Sequence, residues 1–176
     1  KRQVPTVSES GRKSLYSLHL SASPGDSSIG TYDFTIIEQR IEGYNAQSLM
    51  GQVCTLSFWV KASVAGIYCI SFRNNGTDRS YIAEYTINTA NTWEKKSITF
   101  TMHDGSSGTW NHTTGIGLRV AWAVAAGSYY QTTANSWQTG NYYATSNQVN
   151  GIPSTASTFT LSQIQLEIGP NTTVFE

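Results

Sequence analysis

Charge is what this sequence has least of. Between Asp104 and Glu167 the only Asp, Glu, Lys or Arg is Arg119. Over the whole chain these four residues make up 12%, against about 25% in ordinary globular domains. Acids and bases balance to a net charge of zero, so there is no electrostatic footprint for nucleic acid or anionic lipid. Cysteine is nearly absent too. Cys54 and Cys69 are too few for a disulfide framework. Both read as buried free thiols, the usual fate of a small apolar side chain, and a reducing folding compartment fits. No stretch is apolar and long enough to span a bilayer, and no basic-then-apolar signal pattern opens the chain. Ser, Thr, Asn, Gln, Gly and Tyr take the place of the missing charge.

A chain of 176 residues is one domain with room for a sizeable core. Its start, "KRQVPTVSESGRK", is polar, basic and contains proline. Residues 1–13 therefore read as a linker from an upstream domain, and 14–176 as a single domain. Period-two alternation dominates the chain from residue 14 onward. "CTLSFWVKAS" is the clearest strand, with Cys54, Leu56, Phe58 and Val60 on one face. "GIYCISFRNNG" is its hairpin-like successor: Tyr68, Ile70 and Phe72 form one face, Cys69 and Ser71 the other, and "NNG" is read as supplying positive-φ turn residues. "GIGLRVAWAVAAG" lines up Leu118, Val120, Trp122 and Val124. The pair Ile36–Ile37 and the phase change around Ser162 both read as bulges or breaks. "NAQSLMGQ" is at most one helical turn, and Ser128 to Pro153 has no period. Eight or nine strands without a convincing helix predict an all-β fold, an antiparallel jelly-roll-like β-sandwich. An up-and-down barrel is the rival. The long aperiodic crossing before the last strand favours the sandwich.

Catalytic patterns are thin. The three histidines, His19, His103 and His112, have no metal-ligand spacing. "HDG", His103 to Gly105, reads as a turn rather than an acid–base pair. Glu38 and Glu42 on one strand face stand about 13 Å apart, wider than either glycosidase geometry. No nucleophile elbow or phosphate loop occurs, so no enzyme is expected.

Two stretches carry a resemblance. "IEQRIEGYNAQSLMGQVCTLSFWVKAS" resembles the early strands of β-sandwich carbohydrate-binding modules. "SWQTGNYYATSNQVNG", followed by "STFTLSQIQLEIGPNTTVFE", is similar to a recurrent segment of bacteriophage tail-fibre and virion appendage proteins. Trp137, Gly140, Ala144 to Ser146, Gln148 to Asn150, Gln165 to Glu167, Gly169, Phe175 and Glu176 fall on that pattern, while Ile164 and Val174 depart from it. The resemblance implies a non-catalytic virion fibre domain, made in a bacterial cytoplasm, whose partners are cell-surface glycan and other virion proteins. A homotrimer is among the implied states. An accessory module of a glycan hydrolase is a further alternative. No cofactor is expected. A structural calcium ion, as in some such modules, stays open, with Glu9, Asp26, Asp33 and Glu167 the acidic residues near the two ends and no D-x-D-x-D run.

Sugars present apolar C–H faces rimmed by hydroxyls, so they are met by flat aromatics among neutral donors and acceptors. Trp110, Tyr129, Tyr130, Trp137, Tyr142 and Tyr143 are the candidate carbohydrate-binding residues, set in or beside neutral stretches rich in Asn, Gln and Thr. Adjacent residues of an extended chain point opposite ways, so at most one of Tyr142 and Tyr143 faces out. Trp59, Trp93 and Trp122 read as packing. Interfaces between subunits also lose charge and gain aromatics, so the neutral region equally fits a subunit contact.

Overall fold

The strand over Cys54 to Val60 behaves as its alternation demands. Cys54, Leu56, Phe58 and Val60 are all sealed in the core, each large side chain contributing about 1.5–3 kcal/mol by leaving water. The computed structural model describes residues 2–3 and 16–175. It contains β1 (Arg2–Gln3), β2 (Ser17–Ser21), β3 (Phe34–Glu42), β4 (Val53–Ala62), β5 (Gly66–Arg73), β6 (Arg79–Ile87), β7 (Glu94–Thr101), β8 (Ile116–Ala126), β9 (Trp137–Thr139) and β10 (Thr158–Ile168). One helical turn, α1 (Gly43–Gln47), and a three-residue 3₁₀ turn, Ser128–Tyr130, are the helical pieces among the described residues. The expected linker over residues 1–13 lies outside the described residues except for Arg2–Gln3, whose backbone pairs with Leu18 and Ser17.

The strands form two antiparallel five-stranded sheets, β1-β2-β10-β4-β7 and β3-β8-β5-β6-β9. This is the jelly-roll-like sandwich expected, and not the rival barrel. The core lies between the sheets. One side contributes Leu56, Phe58 and Phe159, the other Tyr68, Ile70, Phe72, Trp122 and Val124. Both expected irregularities are present. The β3–β8 register slips between Thr35 and Ile36, and β10 slips against β4 between Ser162 and Gln165, where Gln163 adopts φ 48°. Both cysteines are free and buried, and burial pushes the Cys69 thiol up to about 11, which leaves it inert.

The β5–β6 hairpin needs a correction. The positive φ of its turn belongs to Thr77, at 54°, not to Asn74, Asn75 or Gly76. Asn74 works through its side chain instead: its carbonyl oxygen accepts the amides of Asp78 and Arg79, both at 3.1 Å. Asp78 in turn accepts from Asn74 and from the amide and hydroxyl of Thr109. The bond from the Asn74 amide and that from the Thr109 backbone hold the Asp78 carboxyl down at about 2. A carboxyl more acidic folded than unfolded stabilises the fold above its unfolded value, and that contribution is lost as pH falls through the folded one. Parent protein is thus expected to melt higher than Asp78→Asn at pH 5. The gap should close as pH approaches 2, a window set by the shift from 3.8 to about 2. Thermal melts of both proteins across that range check it.

Candidate functional site

The uncharged segment after β8 is not a free loop. It runs over the outer face of the β3-β8-β5-β6-β9 sheet and is bonded to that sheet and to the turn before β3. Tyr129 N donates to Thr31 O at 3.0 Å, Asn135 N to Ile82 O at 2.8 Å, and Val149 N to Ile67 O at 2.9 Å. Ser71 Oγ donates to Tyr142 O at 2.6 Å, and Ser80 Oγ accepts from Tyr142 N at 3.0 Å. Between sheet and segment lies a second, smaller apolar core of Cys69, Ile82, Ala121, Ala123, Tyr143 and Ala144. A charge buried there costs several kcal/mol unless it is paired. Much of the missing charge has this internal cause: the segment roofs a second core, and its amides and hydroxyls satisfy backbone.

The rings form a graded path from solvent inwards. Tyr32 and Tyr129 are 67% and 57% exposed, with ring centroids 4.8 Å apart. Tyr129 meets Tyr130 at 5.2 Å. Phe34 lies edge-on to Tyr130 and stacks on Tyr143 at 4.6 Å. Tyr143, 6% exposed, ends the path under the Arg73 guanidinium, 4.2 Å from its ring centre. Tyr142 is half-buried beside it, so of the adjacent pair it is Tyr142 that reaches the surface. Below them Glu38 gathers three guanidiniums. Arg40 donates to it at 2.8 Å, Arg119 at 3.0 Å, and the buried Arg73 closes a further short contact. Burial alone would raise the Glu38 carboxyl, but the Arg40 hydrogen bond and the charges of Arg73 and Arg119 outweigh it, and the net shift is downward.

A groove lies beside the two turns that carry Tyr32 and Tyr129, with Thr31 and Ser128 in its lining. Its volume is about 350 Å³, and its lining residues, which include Ser27, Thr31, Ser128, Gln131, Gln148 and Asn150, contain no ionisable side chain. Local structure fixes it. The turn from Gly30 to Asp33 is closed by Asp33 N on Gly30 O at 3.1 Å, with Asp33 Oδ2 accepting Gly30 N at 3.0 Å. Gly127 N donates to Asp33 O at 2.7 Å, and the 3₁₀ turn at Ser128–Tyr130 comes directly after it. Tyr32 and Tyr129 directly follow groove-lining Thr31 and Ser128 in the chain, and neither ring is part of the lining. The amides of Gln131 and Asn150 donate to Ala126 O and Asp26 O, whereas the hydroxyls of Ser27, Thr31 and Ser128 have no bond to any described residue. Gln148 Oε1 is buried there without a partner.

Of the six aromatics singled out in the sequence, four belong to this region and two do not. Trp110 and Trp137 pack against the main core elsewhere, with His103 at 5.2 and 5.3 Å from them. Their indole N–H groups donate to Ser107 O at 2.8 Å and Thr101 O at 3.0 Å. His103 accepts Gly105 N at 3.0 Å, the turn read from "HDG". Sequence reasoning passed over Tyr32. It sits in the turn before β3, where no periodicity marks it, and only its folded neighbour Tyr129 reveals it.

The carboxyls whose acidity is displaced, Glu38, Asp78, Glu94, Asp104 and Glu167, are all displaced downward. None of these is the neutral proton donor that glycoside cleavage requires. No three His, Cys, Asp or Glu side chains cluster as metal ligands among the described residues. Asp26 and Asp33 are engaged in turns, accepting Ser28 N and Gly30 N, and Glu9 lies outside the described residues.

No protein-family model matches the chain, and no curated protein matches it. Among solved structures, one described as "CBM4 structure and function" aligns with 13% identity and a TM-score of 0.49, covering 87% of this chain and 71% of that one. A second is the Clostridium thermocellum endo-1,4-beta-D-xylanase 10B fragment with CBM22-1 and GH10 modules, complexed with xylohexaose. It aligns with 11% identity and a TM-score of 0.45, and this chain spans 25% of its length. Trp59, Trp93 and Trp122, read from sequence as packing, are respectively half-buried, buried and buried. Among the described residues no helix is long and apolar enough to cross a membrane.

Proposed function

We propose that this domain binds a neutral glycan without cleaving it, in the groove beside Tyr32 and Tyr129. The observation that carries the reading is a groove whose lining holds hydroxyls and amides and no ionisable group, formed by the same two turns that carry the exposed, contacting rings of Tyr32 and Tyr129. A sugar ring lays its C–H face on the tyrosines, and its hydroxyls exchange water for the open hydroxyls of Ser27, Thr31 and Ser128. Such exchange is nearly neutral for uncharged partners and costly for ions. The downward-shifted carboxyls support binding without hydrolysis.

The segment from Trp137 to Asn150 and the strand around Gln165 to Glu167 resemble phage appendage sequences, and this supports placing the domain on a virion. In that setting it attaches the particle to a cell-surface glycan and neighbours other virion proteins, in a homotrimer. A second reading, assembly rather than adhesion, draws on the same exposed rings. Tyr32, Phe34 and Tyr129 at 67%, 42% and 57% exposure are also what a subunit contact uses.

Glycan-array screening and calorimetry on Tyr32→Ala and Tyr129→Ala separate the two readings. Each variant is expected to lose about 0.5–1.5 kcal/mol of binding, a loss of about two- to tenfold, with stability changed by less than about 0.5 kcal/mol. No array signal, with a trimer by light scattering that the variants dissociate, is the result that favours assembly and sinks adhesion.

A further inference from the structure

The other sheet carries a second cleft, of about 590 Å³, on its outer face. Ser57 and Trp59 form its floor. Their neighbours Leu56, Phe58 and Val60 face the core, so these two must face out. Lys95 is the direct cross-strand partner of Trp59, and side chains so paired stand about 4.5–5.5 Å apart at Cβ. The lysine stem therefore runs beside the indole. On the other flank β10 pairs Ser162 with Trp59 and bulges at once, so that Gln163, at φ 48°, lines the cleft. The remaining wall is the segment from Thr172 to Phe175, and it is anchored. Thr173 donates through its amide, at 3.1 Å, and its hydroxyl to the two oxygens of Glu167, and Gln165 Nε2 donates to Thr173 Oγ1 at 2.9 Å. Lys95 is the one charged side chain in the lining; its charge also acts on Glu167, whose two oxygens are engaged by Thr173.

An exposed ammonium on the strand position paired with a half-buried indole, with Ser57, Gln163 and Thr172 supplying hydroxyl and amide groups to the same cleft, fits a ligand that has an apolar ring face, hydroxyls and one negative charge. We propose that this cleft binds a carboxylated sugar residue, its C–H face on Trp59 and its carboxylate on Lys95. The site is separate from the Tyr32–Tyr129 groove in residues and in ligand charge. It would let one domain take a neutral and an acidic unit of a surface glycan on its two sheets.

The test is an NMR titration of the ¹⁵N-labelled domain with tetragalacturonate and its methyl ester, and with sialyllactose and lactose. At least one acid is expected to shift the Trp59 indole N–H at millimolar concentration. Its neutral counterpart should bind about tenfold more weakly, the share of a charge-assisted hydrogen bond, and added salt should narrow that difference. Which acid binds tells a uronate site from a sialate site. Lys95→Gln, an exposed change that leaves the core untouched, should bring the acid down to the affinity of its neutral counterpart, while Trp59→Ala removes both. No acid shifting Trp59, equal affinity for acid and neutral forms, or an unaffected Lys95→Gln overturns the proposal. Shifts confined to Tyr32 and Tyr129 overturn it too, yet leave the groove standing. Shifts confined to Trp59 and Lys95 support it and count against the groove.

Discussion

Replacing Glu38 with glutamine is expected to destabilise the domain by about 3–5 kcal/mol, the range for removing one partner of a buried ion pair. Glu38 is the one carboxylate salt-bridged to Arg40, Arg73 and Arg119 among the described residues. Without it Arg73, 2% exposed, keeps its charge with Asn141 and the Tyr143 ring as its remaining partners. Arginine cannot escape by deprotonating, and its Nε already lacks a partner. Arg73→Met should cost less, because Glu38 retains Arg40 and Arg119 and the methionine fills the space against the Tyr143 ring. Urea unfolding of the two variants gives the ranking. A Glu38→Gln variant as stable as the parent would show that the three guanidiniums do not depend on this carboxylate.

Gly127→Ala is expected to do the largest damage to binding. Its φ of −71° suits any residue, so the requirement is one of space. A Cβ there would lie 2.0 Å from Gly30 O and 2.5 Å from Thr31 O, and both are backbone atoms that cannot swing away. The turn bearing Tyr32 and the turn bearing Tyr129 must separate. The cost to stability is that of overpacking, about 1–3 kcal/mol, and glycan affinity should fall by at least about tenfold as the platform loses its geometry. A Gly127→Ala domain that binds like the parent would mean that the two turns do not act as one site.

The sandwich was legible because its strands are long and one-sided. Cys54 to Val60 and Leu118 to Val124 each present one uninterrupted apolar face, and period two says which way they point. Even the bulge after Ser162 showed, as a change of phase. The neutral segment was not legible in the same way. Its backbone mostly pairs with single atoms of the sheet beneath rather than with a ladder, and β9 is only Trp137–Thr139. Periodicity has nothing to register there. Its aromatics announced themselves by type, not by destination: Tyr143 goes inward beneath Arg73, Trp110 and Trp137 close onto the main core, and Tyr129 stays out. Tyr32 and Trp59 escaped notice for opposite reasons. One sits in a turn with no pattern, and the other sits in so regular a strand that packing looked sufficient. Only the folded neighbours, Tyr129 for the first and Lys95 for the second, distinguish a surface platform from a core ring.

The most direct test of neutral-glycan binding at the groove is to map a bound glycan onto the protein, using the strongest neutral array ligand. Ring resonances of Tyr32 and Tyr129 and the side-chain amide of Gln131 are expected to shift together and saturate at one affinity. Saturable shifts that spare these three residues, or no neutral glycan that binds at all, would contradict it.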